Sequence, residues 1–178
     1  PSVVRARVGK GKEVTITEET DYPFNGTANL TINTEKAVRF PIDIRIPGWA
    51  DSVTIRFKGK TVKVKGCSNY KINEKWKNGD QITVEIPMEI RVEKRFNNSL
   101  SVLRGPLCFS LRIDKEYKSI KINYDNFGYK GSVDWEINPK SAWNYGLLTD
   151  KENIMNGLKV TENPIGKYPF SDKGDMIW

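Results

Sequence analysis

Apolar and polar residues alternate along most of this chain, with the period of two that marks half-buried strands. Val14 and Ile16 alternate with Thr15 and Thr17, and Leu30 and Ile32 flank Thr31. Phe40, Ile42, Ile44 and Ile46 alternate with Arg39, Asp43 and Arg45. Val53, Ile55 and Phe57 run into Lys58-Gly59 and then Val62 and Val64. This is a hairpin signal, because glycine supplies the positive φ that a tight turn demands. Tyr70 and Ile72 lead to Trp76, and Asn78-Gly79-Asp80 turns the chain into Ile82, Val84, Ile86, Met88, Ile90 and Val92. Pro41, Pro47 and Pro87 are expected at strand starts, edges or bulges, where a missing N–H is tolerated. Closely spaced strands punctuated by Gly, Pro and Asn predict a sandwich or barrel rather than βαβ units.

The alternation lapses at Glu93-Lys-Arg-Phe-Asn-Asn98 and resumes at Leu100. The later apolar positions are Leu107, Phe109, Leu111 and Ile113, then Ile120, Ile122 and Tyr124, then Val133, Trp135 and Ile137. Short helical hints occur near Ser141–Tyr145 and Lys151–Asn156, and the tail from Asn163 to Trp178 reads as irregular. The expectation is an all-β chain of two antiparallel β-sandwich modules, residues 1–95 and 96–178. With 178 residues, 38% hydrophobic and 29% charged, there is enough apolar material for a core. No apolar stretch is long enough for a membrane helix, so no membrane partner is expected. The chain opens Pro1-Ser2-Val3 without an initiator methionine, which suggests a segment of a larger protein.

A net charge of +7 raises the question of an anionic polymer. Lys58, Lys60, Lys63, Lys65, Lys71, Lys75 and Lys77 fall at turns and on the outward beats of strands, so they read as a solvated face and protected edges. No nucleic-acid recognition motif accompanies them, so no nucleic-acid partner is expected. The two cysteines, Cys67 and Cys108, are expected to be free and structural.

The absence of histidine excludes a Ser-His-Asp triad, a Cys-His pair and His-ligated zinc. Gly9-Lys10-Gly11-Lys12 lacks the spacing of a phosphate loop and reads as a basic hairpin turn. A pair of carboxylates could cleave a glycoside, and the candidates are Glu18, Glu19, Asp21, Glu89, Glu93, Asp134 and Glu136. Glu18 and Glu19 point to opposite faces of one strand. Asp134 and Glu136 share a face but flank Trp135, which is expected to point into the core. Nothing predicts the desolvated pocket that raises an acid's pKa, so these are read as surface carboxylates and no catalytic residue is assigned. Nor is any cofactor or metal site assigned.

Five tryptophans are many for this length. Trp49, Trp76 and Trp135 read as core plugs. Trp143 and Tyr145, in a loop-like Ala-Trp-Asn-Tyr-Gly stretch, leave two readings open: core or domain-interface packing, or contact with a sugar ring.

Five strings occur in order: Thr20-Asp21-Tyr22-Pro23-Phe24, Arg45-Ile46-Pro47-Gly48-Trp49-Ala50, Trp76-Lys77-Asn78-Gly79-Asp80, Arg104-Gly105-Pro106-Leu107 and Trp143-Asn144-Tyr145-Gly146-Leu147. Their succession resembles the C-terminal β region of the β-L-arabinofuranosidase glycoside hydrolases, families 127 and 146 and their DUF1680 relatives. The resemblance implies an upstream (α/α)₆ barrel that carries the active site, with a zinc-bound cysteine nucleophile and a glutamate acid/base. Cys67 and Cys108 match none of that motif, so the zinc is expected in the barrel and not in this chain. It also implies further strands beyond Trp178, so the second module is expected to lack its end. A surface that packs on the barrel should be apolar and exposed, with Tyr22, Phe24 and Trp49 as candidates.

Three functions follow as expectations. The first is a non-catalytic accessory region of a glycosidase acting on arabinose-containing plant polysaccharide, located in the periplasm or outside the cell. The second is a carbohydrate-binding module using Trp143 and Tyr145, with plant polysaccharide as partner. The third, more remote, is anionic-polymer binding.

Overall fold

The computed structural model describes residues 1–120, 134–146, 153–154, 157–162 and 165–166. Strands dominate the described residues, and every strand pairing is antiparallel. The fold is an all-β antiparallel sandwich. The chain divides into two compact units, one of Pro1–Phe109 rejoined by Thr161 and Glu162, the other within Ser110–Val160.

In the first unit, β1 (Ser2–Val8), β2 (Lys12–Thr20), β3 (Thr27–Thr34), β8 (Asp80–Glu85), β5 (Ser52–Phe57) and β6 (Lys60–Lys65) form a six-stranded sheet in that spatial order. β4 (Val38–Ile46) and β7 (Ser68–Trp76) form a two-stranded ribbon, paired from Val38↔Trp76 to Ile46↔Ser68. The alternating apolar residues of both layers meet in one core. Val14, Ile32, Val53, Ile55, Phe57, Ile82 and Val84 come from the sheet, and Val38, Phe40, Ile46, Ile72 and Trp76 from the ribbon. Pro41 fits the middle of β4 because β4 has a strand neighbour on one side only.

Trp76 is the largest fully buried side chain. Its indole Nε1 donates to the Phe40 carbonyl at 3.0 Å, so the polar handle of the plug is satisfied inside the core. Lys58 lies over its ring at 5.6 Å. The expected Lys58-Gly59 hairpin turn is present, with φ of 48° and 73°. So is the Gly9-Lys10-Gly11 turn between β1 and β2.

The Asn78-Gly79-Asp80 turn ties β8 to β3. Asn78 Oδ1 accepts from the Thr34 N–H at 3.1 Å, and the Gly79 N–H donates to the Ile32 carbonyl at 2.8 Å. Asp80 closes the turn by accepting from the Lys77 N–H at 2.8 Å, and it pairs with Lys58 at 2.8 Å. Partial burial would raise the Asp80 pKa, but the bonds from Lys58 and Lys77 outweigh it and hold the carboxyl below its ordinary value. A carboxyl whose pKa is lower in the folded state contributes stability above its unfolded pKa and loses it as pH falls through the folded one. Asp80→Asn is therefore expected to cost about 1–2 kcal/mol at pH 7 and less in acid, once the pH has fallen through the folded-state pKa of the Asp80 carboxyl. Urea titrations at pH 7 and in acid would show this; an equal deficit at both would contradict it.

The third sheet of this unit is β9 (Ile90–Lys94), β10 (Leu100–Arg104) and β11 (Leu107–Cys108), in the order β11-β10-β9. Glu93–Asn98, where the alternation lapses, leads through the β9–β10 connection, with Asn97 and Asn98 at positive φ. The apolar run Ile82 to Val92 is two strands rather than one. The Ile86 N–H leaves the sheet to donate to the Gly26 carbonyl at 2.8 Å, and Pro87 follows without an N–H to continue the ladder.

In the second unit, β12 (Lys115–Ile120) pairs with β13 (Asp134–Pro139). Trp135 belongs to this ribbon and is 58% exposed, so the expected core plug is instead a surface residue. The strand and its alternation are as read, but a two-stranded ribbon has two faces, and the one that carries Trp135 is exposed. Ser141–Tyr145 is irregular, not helical. Within the helical hint at Lys151–Asn156 the described residues, Asn153 and Ile154, are helical, while Ile122, Tyr124, Val133, the rest of that hint and most of the tail lie outside the described residues.

Candidate functional site

The carboxylates named from the sequence do not gather. Glu18 accepts from the Ser2 hydroxyl at 2.9 Å, and Glu93 pairs with Arg91 and Arg95 at 3.1 and 2.6 Å. Glu136 faces Lys118 at 3.5 Å, and Asp134 is exposed on the same ribbon. Glu74, which the sequence reading passed over, accepts from Lys60 at 2.6 Å, and that bond keeps its pKa below the ordinary carboxylate range.

Among the aromatic candidates, Phe24 is buried, Trp49 is half-buried against the core and Tyr22 is exposed. Trp143 and Tyr145 are strongly exposed, at 63% and 71%. On the β12–β13 ribbon, Tyr117 meets Trp135 edge-on at 6.1 Å, and Ile137 shares their face.

Trp49 and Glu89 are the two named residues that come together. Pro47 follows the end of β4, and Gly48-Trp49-Ala50 swings out as a loop pinned to the Gly66-Cys67 turn. The Gly66 N–H donates to the Asp51 carbonyl at 2.8 Å, and the Cys67 N–H to that of Pro47 at 3.3 Å. The backbones are so close that a Cβ on Gly66 would lie 1.7 Å from the Ala50 carbonyl oxygen. On the far side, Trp49 reaches the Gly105 turn between β10 and β11, where φ is +55° and a Cβ would meet the Met88 side chain at 2.7 Å. The backbone contact requires glycine at Gly66, and the positive φ favours it at Gly105.

The held indole borders a pocket of about 150 Å³ lined by Trp49, Ala50, Asp51, Ser52, Pro87, Glu89, Ile90 and Arg91. Arg91 is fixed there: its Nε donates to Glu93 at 3.1 Å and its Nη1 to the Gly105 carbonyl at 2.6 Å. Sequence reasoning missed Asp51, Ser52 and Arg91 as site residues. They arrive from the starts of β5 and β9, some forty residues apart, and no local pattern joins them.

Zinc does not fit the described residues. Cys67 and Cys108 are both exposed and free, and no group of three Cys, Asp or Glu side chains is placed to hold a metal.

The sandwich of β1 to β8 coincides with a family match. Residues 1–88 match the family described as beta-L-arabinofuranosidase, GH127 middle domain. This part of the chain is similar to that domain. The Trp49 loop and the Asn78-Gly79-Asp80 turn lie within the matched residues, whereas the strings at Arg104 and Trp143 fall beyond them.

Solved structures agree on the fold. A GH127 beta-L-arabinofuranosidase from Geobacillus stearothermophilus T6 is similar over 83% of this chain at 22% identity, with a TM-score of 0.53. A glycoside hydrolase is similar over 84% at 21% identity and a TM-score of 0.54. A GH127 beta-arabinofuranosidase is similar over 66% at 22% identity and a TM-score of 0.51. The chain spans 27%, 29% and 25% of those three proteins, respectively. No curated protein sequence matches it.

Proposed function

We propose that this chain is a non-catalytic structural region of a glycoside hydrolase that acts on arabinose-containing plant polysaccharide. The observation that carries this reading is the match of residues 1–88 to a GH127 middle domain. Its partner is an upstream (α/α)₆ barrel of the same parent chain, which holds the zinc and the acid/base chemistry. Val3 and Val4 of the edge strand β1 are 63% and 54% exposed, and Tyr22 follows the end of the neighbouring β2. Exposed apolar residues on a sheet edge suit a surface that packs on another domain. A parent of this kind works in the periplasm or outside the cell, where polysaccharide is met.

A second reading, contact with polysaccharide, is favoured by the exposed Trp143, Tyr145 and Trp135. Both readings make the same prediction for catalysis. The purified chain should release no arabinose from a β-L-arabinofuranoside, and release would overturn them.

A further inference from the structure

We infer that the Trp49 pocket is a binding subsite for a single neutral sugar ring, a pentose in the first instance. The choice of a sugar rests on the glycosidase reading above; the pocket itself rests on its geometry. Its volume of about 150 Å³ is the space of roughly five waters. Drug-sized pockets start at about 300 Å³, so this one has room for one ring and not for a chain of them.

The lining matches what a sugar presents. A sugar ring has an apolar face of C–H groups and a rim of hydroxyls that both donate and accept. Trp49, Pro87 and Ile90 supply apolar surface; the indole lies against the Gly105 turn, and its loop is pinned by the backbone contact at Gly66. The carboxylates of Asp51 and Glu89 are acceptors with no ion pair or hydrogen bond to another described side chain, and Ser52 can donate or accept. Arg91 has Nε and Nη1 committed to Glu93 and Gly105, which leaves the Nη2 N–H groups of an already oriented guanidinium. Fixed donors and acceptors around a rigid aromatic lower the ordering cost of binding a small polar ligand. A simple cation is the less suitable occupant, because the anchored Arg91 places a positive charge on the same wall.

The test is an NMR titration of the intact chain with L-arabinose and with methyl β-L-arabinofuranoside. The Trp49 indole N–H resonance is identified by its loss in Trp49→Phe. A saturable shift of that resonance with a Kd in the millimolar range is expected. Asp51→Asn and Glu89→Gln should each weaken binding by about tenfold, since each removes a charge-assisted bond. Both positions are exposed, so the melting temperature should stay unchanged. The inference is overturned if neither sugar moves the Trp49 resonance, if the double variant binds as well as the parent chain, or if n-butylammonium moves it and the sugars do not. Hydrolysis is read separately. A silent pocket leaves the accessory reading standing, and arabinose release by the chain would break that reading whatever the pocket binds.

Discussion

Replacing Trp76 by alanine is expected to cost the first unit about 4 kcal/mol, close to the whole stability of many small domains. Two terms add. The indole is fully buried between the six-stranded sheet and the β4–β7 ribbon, so its removal opens a large cavity where both layers meet. It also leaves the Phe40 carbonyl without the Nε1 donor it accepts from at 3.0 Å. Trp76→Phe separates the terms, since it restores part of the volume but not the donor. About half of the loss should remain in that variant. Chemical denaturation followed by circular dichroism measures both. A loss under about 1 kcal/mol for the alanine variant would mean that the ribbon does not rely on this plug.

Gly66→Ala should be nearly as damaging, through a different cause. A methyl group there would sit 1.7 Å from the Ala50 carbonyl oxygen, and no side-chain rotation relieves a clash between two backbones. The chain must part at the Gly66–Asp51 hydrogen bond, the junction that holds the Trp49 loop. A loss of about 3 kcal/mol is expected, together with exposure of Trp49, seen as a red shift and increased quenching of its fluorescence. Gly59→Ala is the useful contrast. Gly59 also sits in a turn, but a Cβ there meets nothing within 4 Å, so only the cost of its positive φ of 73° applies, about 1 kcal/mol. Similar losses for the two variants would show that the close approach at Gly66 does not bear on stability.

Most of the sandwich was legible in the sequence because burial is one-sided. In β4, Val38, Phe40 and Ile46 are buried while Arg39, Asp43 and Arg45 are exposed, and a period-two pattern states that directly. Strand β1 escaped for the complementary reason. Val4-Arg5-Ala6-Arg7-Val8 does alternate, but Ser2–Val8 is an edge strand with little of either face covered, so its alternation does not report burial. Trp135 marks another limit. Alternation put Trp135 and Ile137 on one face of a strand correctly, but periodicity does not say whether anything covers that face. The pocket was the least legible part. Trp49 and Glu89 were each picked out for chemistry, yet their meeting depends on how the loop after β4 and the link before β9 are set by the sheets between them. That placement is a property of the packed layers.

Separation of this β region from catalysis is the central property to test. The decisive measurement is a hydrolysis assay of the purified 178-residue chain on a chromogenic β-L-arabinofuranoside, with an active GH127 enzyme as positive control and the Trp76→Ala variant as a purity control. The account predicts no product above background from either form. Turnover by the parent chain that disappears in the Trp76→Ala variant would place catalytic chemistry within the sandwich and contradict it.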